Sequence, residues 1–273
     1  RLKNNSFINI SKKDLNIKNK NKLSEYVLIN NIDELKKIIE EIKIKGLVSI
    51  DTETNSLNLE QANLVGISIS FNEDKGFYIP INHKDIESGK RLKEQLEEKK
   101  VLEQIRLICS DPSILKIGQN LKYDIRLLKK YNISFNSIDD TMLLSYALDN
   151  GLTRHGMDDL SYRHLNHETI KYKDLVGTGK KQISFDYVTI DLATKYAAED
   201  ALITLKLYNV LKPRLIKEKI SYIYEKIDKP LIDVLSLMEE RGIRVDSKYL
   251  QKLSKEFLNE SNKIEKLIFK ITG

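Results

Sequence analysis

The chain has 273 residues, 46 Lys and Arg against 40 Asp and Glu, a formal net charge of +6, and 41% hydrophobic residues, enough for one large domain or a domain with a helical appendix. Its longest apolar runs, such as Leu47–Ile50 and Leu64–Ile69, are far too short for a bilayer, and residue 1 opens no charged-then-apolar leader, so a soluble protein without a membrane partner is expected. The single Cys109 excludes an internal disulfide, and His83, His155, His164 and His167 lack cysteines at zinc spacing, which leaves oxygen donors for any metal.

Residues 1–22 are polar, rich in Asn and Lys and without apolar periodicity, and are expected to form a poorly ordered lead-in. A β-prone run, Tyr26–Ile29, precedes Asn31 and Glu34, whose spacing predicts a capped amphipathic helix through Ile42 that Gly46 closes. Three further β-prone runs, Leu47–Asp51, Leu64–Phe71 and Phe77–Ile81, are separated by Asn, Asp and Gly and predict a meander. A helix over 91–108, a strand over 114–117 and helices over 122–131, 140–148, 157–165 and 192–210 follow. The pattern predicts an α/β fold with a mixed sheet flanked by helices. After Pro213 no strand signal recurs, and two long amphipathic helices are expected over 222–241 and 246–271, the second capped by Asp246. The expected divisions are thus a lead-in over 1–22, a domain over 23–212 and a helical unit over 213–273.

Three segments carry carboxylates in a chemically suggestive setting. In Val48-Ser49-Ile50-Asp51-Thr52-Glu53-Thr54 a strand ends in two acids one residue apart, which alternation turns to the same face. Such a pair is either solvated at the strand end or a site for a hard divalent cation. Asp124 follows the 114–117 strand in the first turn of a helix, where an acid also complements the helix dipole. In Tyr196-Ala197-Ala198-Glu199-Asp200 the four-residue spacing stacks phenol and carboxylate on one helical face, and the alanines permit close approach to the sheet. An exposed Asp beside a half-buried Tyr would also satisfy that last spacing.

Taken together and in this order, the segments resemble the 3′–5′ exonuclease domain of bacterial-type family A DNA polymerases, a tyrosine-branch member of the DEDD superfamily with an RNase H-like fold. The likeness rests on Asp51-Thr52-Glu53-Thr54-Asn55-Ser56-Leu57, Gly118–Asp124 and Tyr196–Asp200, with support from Asp140–Tyr146 and Arg154-His155. It covers about residues 24–273, because Glu225–Leu231 and Met238–Ile243 look like the opening helices of the polymerase domain. The resemblance implies Asp51, Glu53, Asp124 and Asp200 as ligands of two divalent ions, Mg²⁺ with Mn²⁺ able to substitute, and Tyr196 as the residue that positions the attacking water. Lys195 stands where the histidine branch has its base. Leu57 and Tyr172 match side chains placed against the terminal base, and Asn120, Arg154 and His155 match further substrate contacts. Gly156 stands where the family commonly has a second acid, and Tyr172 where phenylalanine is familiar.

The implied activity is metal-dependent release of 5′-mononucleotides from a single-stranded or frayed DNA 3′ end, with the polymerase domain of the same parent chain as partner and no obligate oligomer. No polymerase active-site motif occurs in these residues. The likeness and the Asn/Lys-rich composition together imply a plastid (apicoplast) parent, and otherwise a cytoplasmic one. Three rivals share parts of the pattern: a ribonuclease D-like RNA trimmer, a non-catalytic lobe of the same fold, and a plain nucleic-acid-binding module.

Overall fold

A computed structural model describes residues 24–273 except Leu152; the expected lead-in over 1–22 lies outside the described residues. They fall into two compact units, one ending at Ile232 and the other spanning Asp233–Gly273.

The first unit is built on a six-stranded sheet of order β1-β4-β3-β2-β5-β6, formed by β1 (Glu25–Leu28), β2 (Leu47–Thr54), β3 (Leu64–Asn72), β4 (Lys75–Pro80), β5 (Leu115–Gly118) and β6 (Ile138–Asp140). The meander β2-β3-β4 is antiparallel, whereas β1 joins β4, β5 joins β2 and β6 joins β5 in parallel. The sheet is therefore mixed, as its alternation of hairpins and helical crossovers requires.

Helix α1 (Ile32–Lys45) begins where the Asn31 side chain accepts from the Asp33 and Glu34 amides, and it ends at Gly46 with φ 72°. Its apolar face packs with α2 (Glu98–Cys109) and α3 (Lys122–Lys129) against Val48, Ile50, Ile67 and Ile69 on one side of the sheet. The helix expected over 91–108 starts only at Glu98. Its first turns are diverted because Arg91 donates to the Ile81 and Leu96 carbonyls and Gln95 pairs with both backbone groups of His83.

Helices α4 (Thr141–Asp149), α5 (Met157–Leu165) and the short α6 (Tyr172–Val176) lead to α7 (Ile190–Lys217), which crosses the other face of the sheet. That face is lined by small residues. Ser49, Ser68, Ser70 and Gly66 share it across β2 and β3, Gly66 lying under the Tyr78 ring, and a Cβ on Gly76 would lie 2.0 Å from the Ala198 carbonyl oxygen. Ser49 Oγ donates to the Ala201 carbonyl at 2.5 Å and fixes the helix on β2. Contrary to the expectation of an end near Val210, α7 continues through Pro213, held by the buried Leu211 and Leu215 on either side.

The helix expected over 222–241 is interrupted. A turn, α8 (Ser221–Ile223), runs into a π-helical segment, Tyr224–Asp228, and Pro230 precedes α9 (Leu231–Arg241). The second unit holds most of α9 and the 26-residue α10 (Ser247–Thr272), capped by Asp246. Among the described residues no helix is long and apolar enough to cross a membrane.

Candidate active site

Strand alternation sends Asp51 and Glu53 toward α7, where Asp200 meets them. One carboxylate oxygen from each of these three residues lies within 4.8 Å of the other two. The approach is possible because Ser49 and Gly76 let the helix come close at Ala201 and Ala198, while the buried Tyr78 fills the space over Gly66. A register shift between Glu53 and Thr54 bends β2 just past the pair.

Thr52 points to the opposite face and there holds Asp124. One Asp124 oxygen accepts from the Thr52 amide at 3.0 Å and from its hydroxyl at 2.5 Å. Asp124 is therefore buried beside the cluster but stands outside the tight group of three.

The electrostatics of this arrangement are unfavourable for bare anions. Burial raises the Asp51 carboxyl to about 7, with the Thr52 backbone opposing. Glu53 is pushed well above the usual carboxylate range by burial and by Asp51, Asp200 and Asp124. Burial and Asp51 do the same to Asp124 and Asp200, while hydrogen bonds from Thr52 and Tyr196 oppose them. Glu53 Oε1 is buried without a hydrogen-bond partner. An orphaned buried oxygen among mutually repelling carboxylates is the donor set of a hard divalent cation, and the cluster fits one.

Around the acids stands an aromatic wall. The Tyr196 hydroxyl bonds to Asp200, and burial followed by the Asp200 charge pushes the phenol far up. Tyr172, 42% exposed, stacks on Phe185 at 6.2 Å and meets Tyr196 edge-on at 6.0 Å. Leu57 is 91% exposed on the loop after β2, which Tyr123 braces through Thr54 and the Ser56 carbonyl and Lys130 braces through the Leu59 and Ala62 carbonyls.

Asn120 is exposed with φ 62° at the entrance to α3. Arg154 is exposed, and its carbonyl accepts from Arg163. His155 bonds to Ser145 and packs on Tyr146, contacts that do not include the acids.

Three contributors escape sequence reasoning. Phe185 lies in a segment without periodicity, and Thr52 reads as a spacer between two acids. Glu199 reads as the neighbour of Asp200, yet it is buried and accepts from the Tyr26 hydroxyl at 3.0 Å and the Ile170 amide at 2.6 Å, with His167 Nε2 at 2.9 Å. It thereby ties the segment leading to Tyr172 onto α7.

A family model described as 3′–5′ exonuclease, that of DNA polymerase A, matches residues 26–216. The chain belongs to this exonuclease family. The exonuclease domain is 43% identical over 263 residues to DNA polymerase I of Rhizobium leguminosarum, an alignment that takes in 92% of this chain and 26% of the relative. The chain thus spans about a quarter of that relative's length.

Among solved structures, the polymerase of M. smegmatis Pol1 in complex with DNA primer-template and dNTP superposes with TM-score 0.62 at 18% identity, over 85% of this chain and 35% of that one. Brucella melitensis NrnC with bound Mg²⁺ gives 0.56 at 21% identity, over 82% and 99%. These likenesses place the exonuclease domain in the RNase H-like exonuclease fold. Its acidic cluster provides the oxygen donors for divalent metal.

Proposed function

We propose that the domain is the proofreading part of a longer DNA polymerase and hydrolyses the terminal phosphodiester of a DNA 3′ end, releasing 5′-mononucleotides. The observation that carries this reading is the meeting of Asp51 and Glu53 from β2 with Asp200 from α7 in a buried group that leaves Glu53 Oε1 unpaired. Asp51, Glu53, Asp124 and Asp200 would hold two divalent ions, Mg²⁺ or in its place Mn²⁺, and such ions would supply water activation and neutralisation of charge on the leaving 3′ oxygen.

The remaining work falls to the chain's own groups. The Tyr196 hydroxyl, oriented by Asp200, positions the attacking water. Its strongly raised pKa keeps it protonated, so it acts as a hydrogen-bonding group and not as a general base. Thr52 sets the angle of Asp124. Tyr172 and Leu57 present apolar surface to the last base, an arrangement that tolerates any base because every base has a stacking face. Asn120, Arg154 and His155 border the strand's path. A mismatched terminus separates from its template at lower cost than a paired one, and so reaches the carboxylates more often.

The second unit is the start of a polymerase domain in the parent chain. Supporting this, α10 exposes Phe257, Leu258, Ile264, Leu267, Ile268 and Phe269, an apolar face expected to be covered by further protein.

The test is digestion of 3′-labelled single-stranded, matched and mismatched DNA, and of RNA of the same sequence, with Mg²⁺ or EDTA. Metal-dependent release of 5′-mononucleotides from DNA, fastest from frayed ends, is expected. Preference for RNA would transfer the site to the ribonuclease D-like class, and binding without turnover would reduce it to a binding lobe.

A further inference from the structure

Beyond the carboxylates lies a buried polar network that the proposed chemistry leaves unused. It centres on two consecutive acids at the end of β6. Asp139 is buried, with Lys212 Nζ at 2.8 Å and Lys229 Nζ at 3.2 Å, and both lysines lie over the Tyr224 ring at 4.9 and 5.5 Å. Tyr224 is fully buried in the π-helical turn. Its hydroxyl donates to Asp139 Oδ1 at 2.9 Å and accepts from the Asp140 amide at 3.0 Å.

Asp140, whose backbone is fixed in this way, uses its carboxylate in two directions. Oδ1 caps α4 by accepting from the Met142 and Leu143 amides at 2.8 and 3.2 Å, and reaches the Asn120 amide at 3.3 Å. Oδ2 accepts from the Leu121 amide at 2.7 Å. Helix capping requires only one side of this carboxylate. Asn120, whose φ of 62° is unusual for a residue with a side chain, shares the capping oxygen at 3.3 Å, while the other side holds Leu121, the last residue before α3. Three residues further on is Asp124, bound to Thr52 between the two acids of β2.

We propose that Asp140, anchored by Tyr224, is a positioning residue of the metal centre, acting through the Asn120–Leu121 backbone to set the entry of α3 and so the place of Asp124. This rests on the reading of Asp124 as a metal-centre carboxylate. Neither Asp140 nor Tyr224 touches substrate or metal in this scheme; their effect is on the geometry of a group that does.

Two variants of the full 273-residue chain separate this role from simple structural support. Asp140→Ser retains an oxygen able to cap α4 but cannot also reach Leu121, and Tyr224→Phe keeps the ring while removing the hydroxyl that fixes Asp140. A core variant in α1, outside the cluster that contains Tyr224, Ile39→Ala, serves as a control for general destabilisation. Mn²⁺ binding is followed by titration calorimetry on the protein alone, and hydrolysis of a labelled single strand gives kcat and KM.

Both positioning variants are expected to weaken Mn²⁺ binding by about tenfold and to lower kcat more than they raise KM. Ile39→Ala should lower the melting temperature without moving Mn²⁺ affinity. If Asp140→Ser and Tyr224→Phe bind Mn²⁺ like the wild type, or if Ile39→Ala weakens binding equally, the inference fails while the proposed function stands. A wild-type chain that binds no Mn²⁺ overturns both.

Discussion

Replacing Asp51 by asparagine should stabilise the metal-free protein while abolishing its activity. The Asp51 carboxyl is raised by burial from the ordinary 3.8 to about 7. An acid held above its unfolded value destabilises the fold once ionised. The cost begins as pH rises through the unfolded value and is complete above the folded one, here from about 4 to about 7. That interval corresponds to on the order of 4 kcal/mol at 1.36 kcal/mol per tenfold step. Because the Asp51 side chain keeps partial access to water, about 2 kcal/mol of it should survive screening, and at roughly 2–4 °C per kcal/mol for a chain of this size the variant should melt about 4–8 °C above the wild type at pH 8 in EDTA. Scanning calorimetry at pH 8 and pH 4.5 checks both size and sign, since the gap must narrow at the lower pH. An asparagine variant that melts below the wild type at pH 8, or a gap independent of pH, would refute the claim that repulsion and burial strain this cluster.

Protons and metal compete for the same oxygens, so stabilisation by saturating Mg²⁺ should grow from pH 6 to pH 8, and thermal shifts at the two values will show it. Gly76→Ala should cost about 3 kcal/mol by denaturant melting and should lower hydrolysis as well, because a Cβ 2.0 Å from the Ala198 carbonyl oxygen forces away the helix that carries Asp200. Tyr196→Phe removes the hydroxyl but keeps the ring packed on Phe185 and Tyr172, so hydrolysis should fall about 10²-fold with the melting temperature nearly unchanged.

Much of the fold was legible because its signals are local. Asn31 with Glu34, Gly46 and the alternating runs of β2, β3 and β4 each state their structure within a few residues. The acids were legible in a different way: each segment alone admits a bland explanation, and only their order and setting make a site. Long-range satisfaction of backbone groups was not legible. Nothing in the window around Arg91 announces that Gln95 will pair with His83, so a helix expected there begins seven residues late. Pro213 misled for a related reason, because burial of Leu211 and Leu215 outweighs the hydrogen bond that proline removes. Thr52 and Glu199 show the same limit within the site. Their partners are 72 and, for Tyr26, 173 residues distant, and only the folded sheet brings them together.

Anomalous diffraction from crystals soaked in Mn²⁺ examines the heart of the proposal without reliance on turnover. Two peaks are expected among Asp51, Glu53 and Asp200, one of them on the side of Asp124, and Glu53 Oε1 should have gained a partner. Density confined to other surfaces, with the carboxylates still crowded around empty space, would contradict the assignment of this cluster as a metal centre.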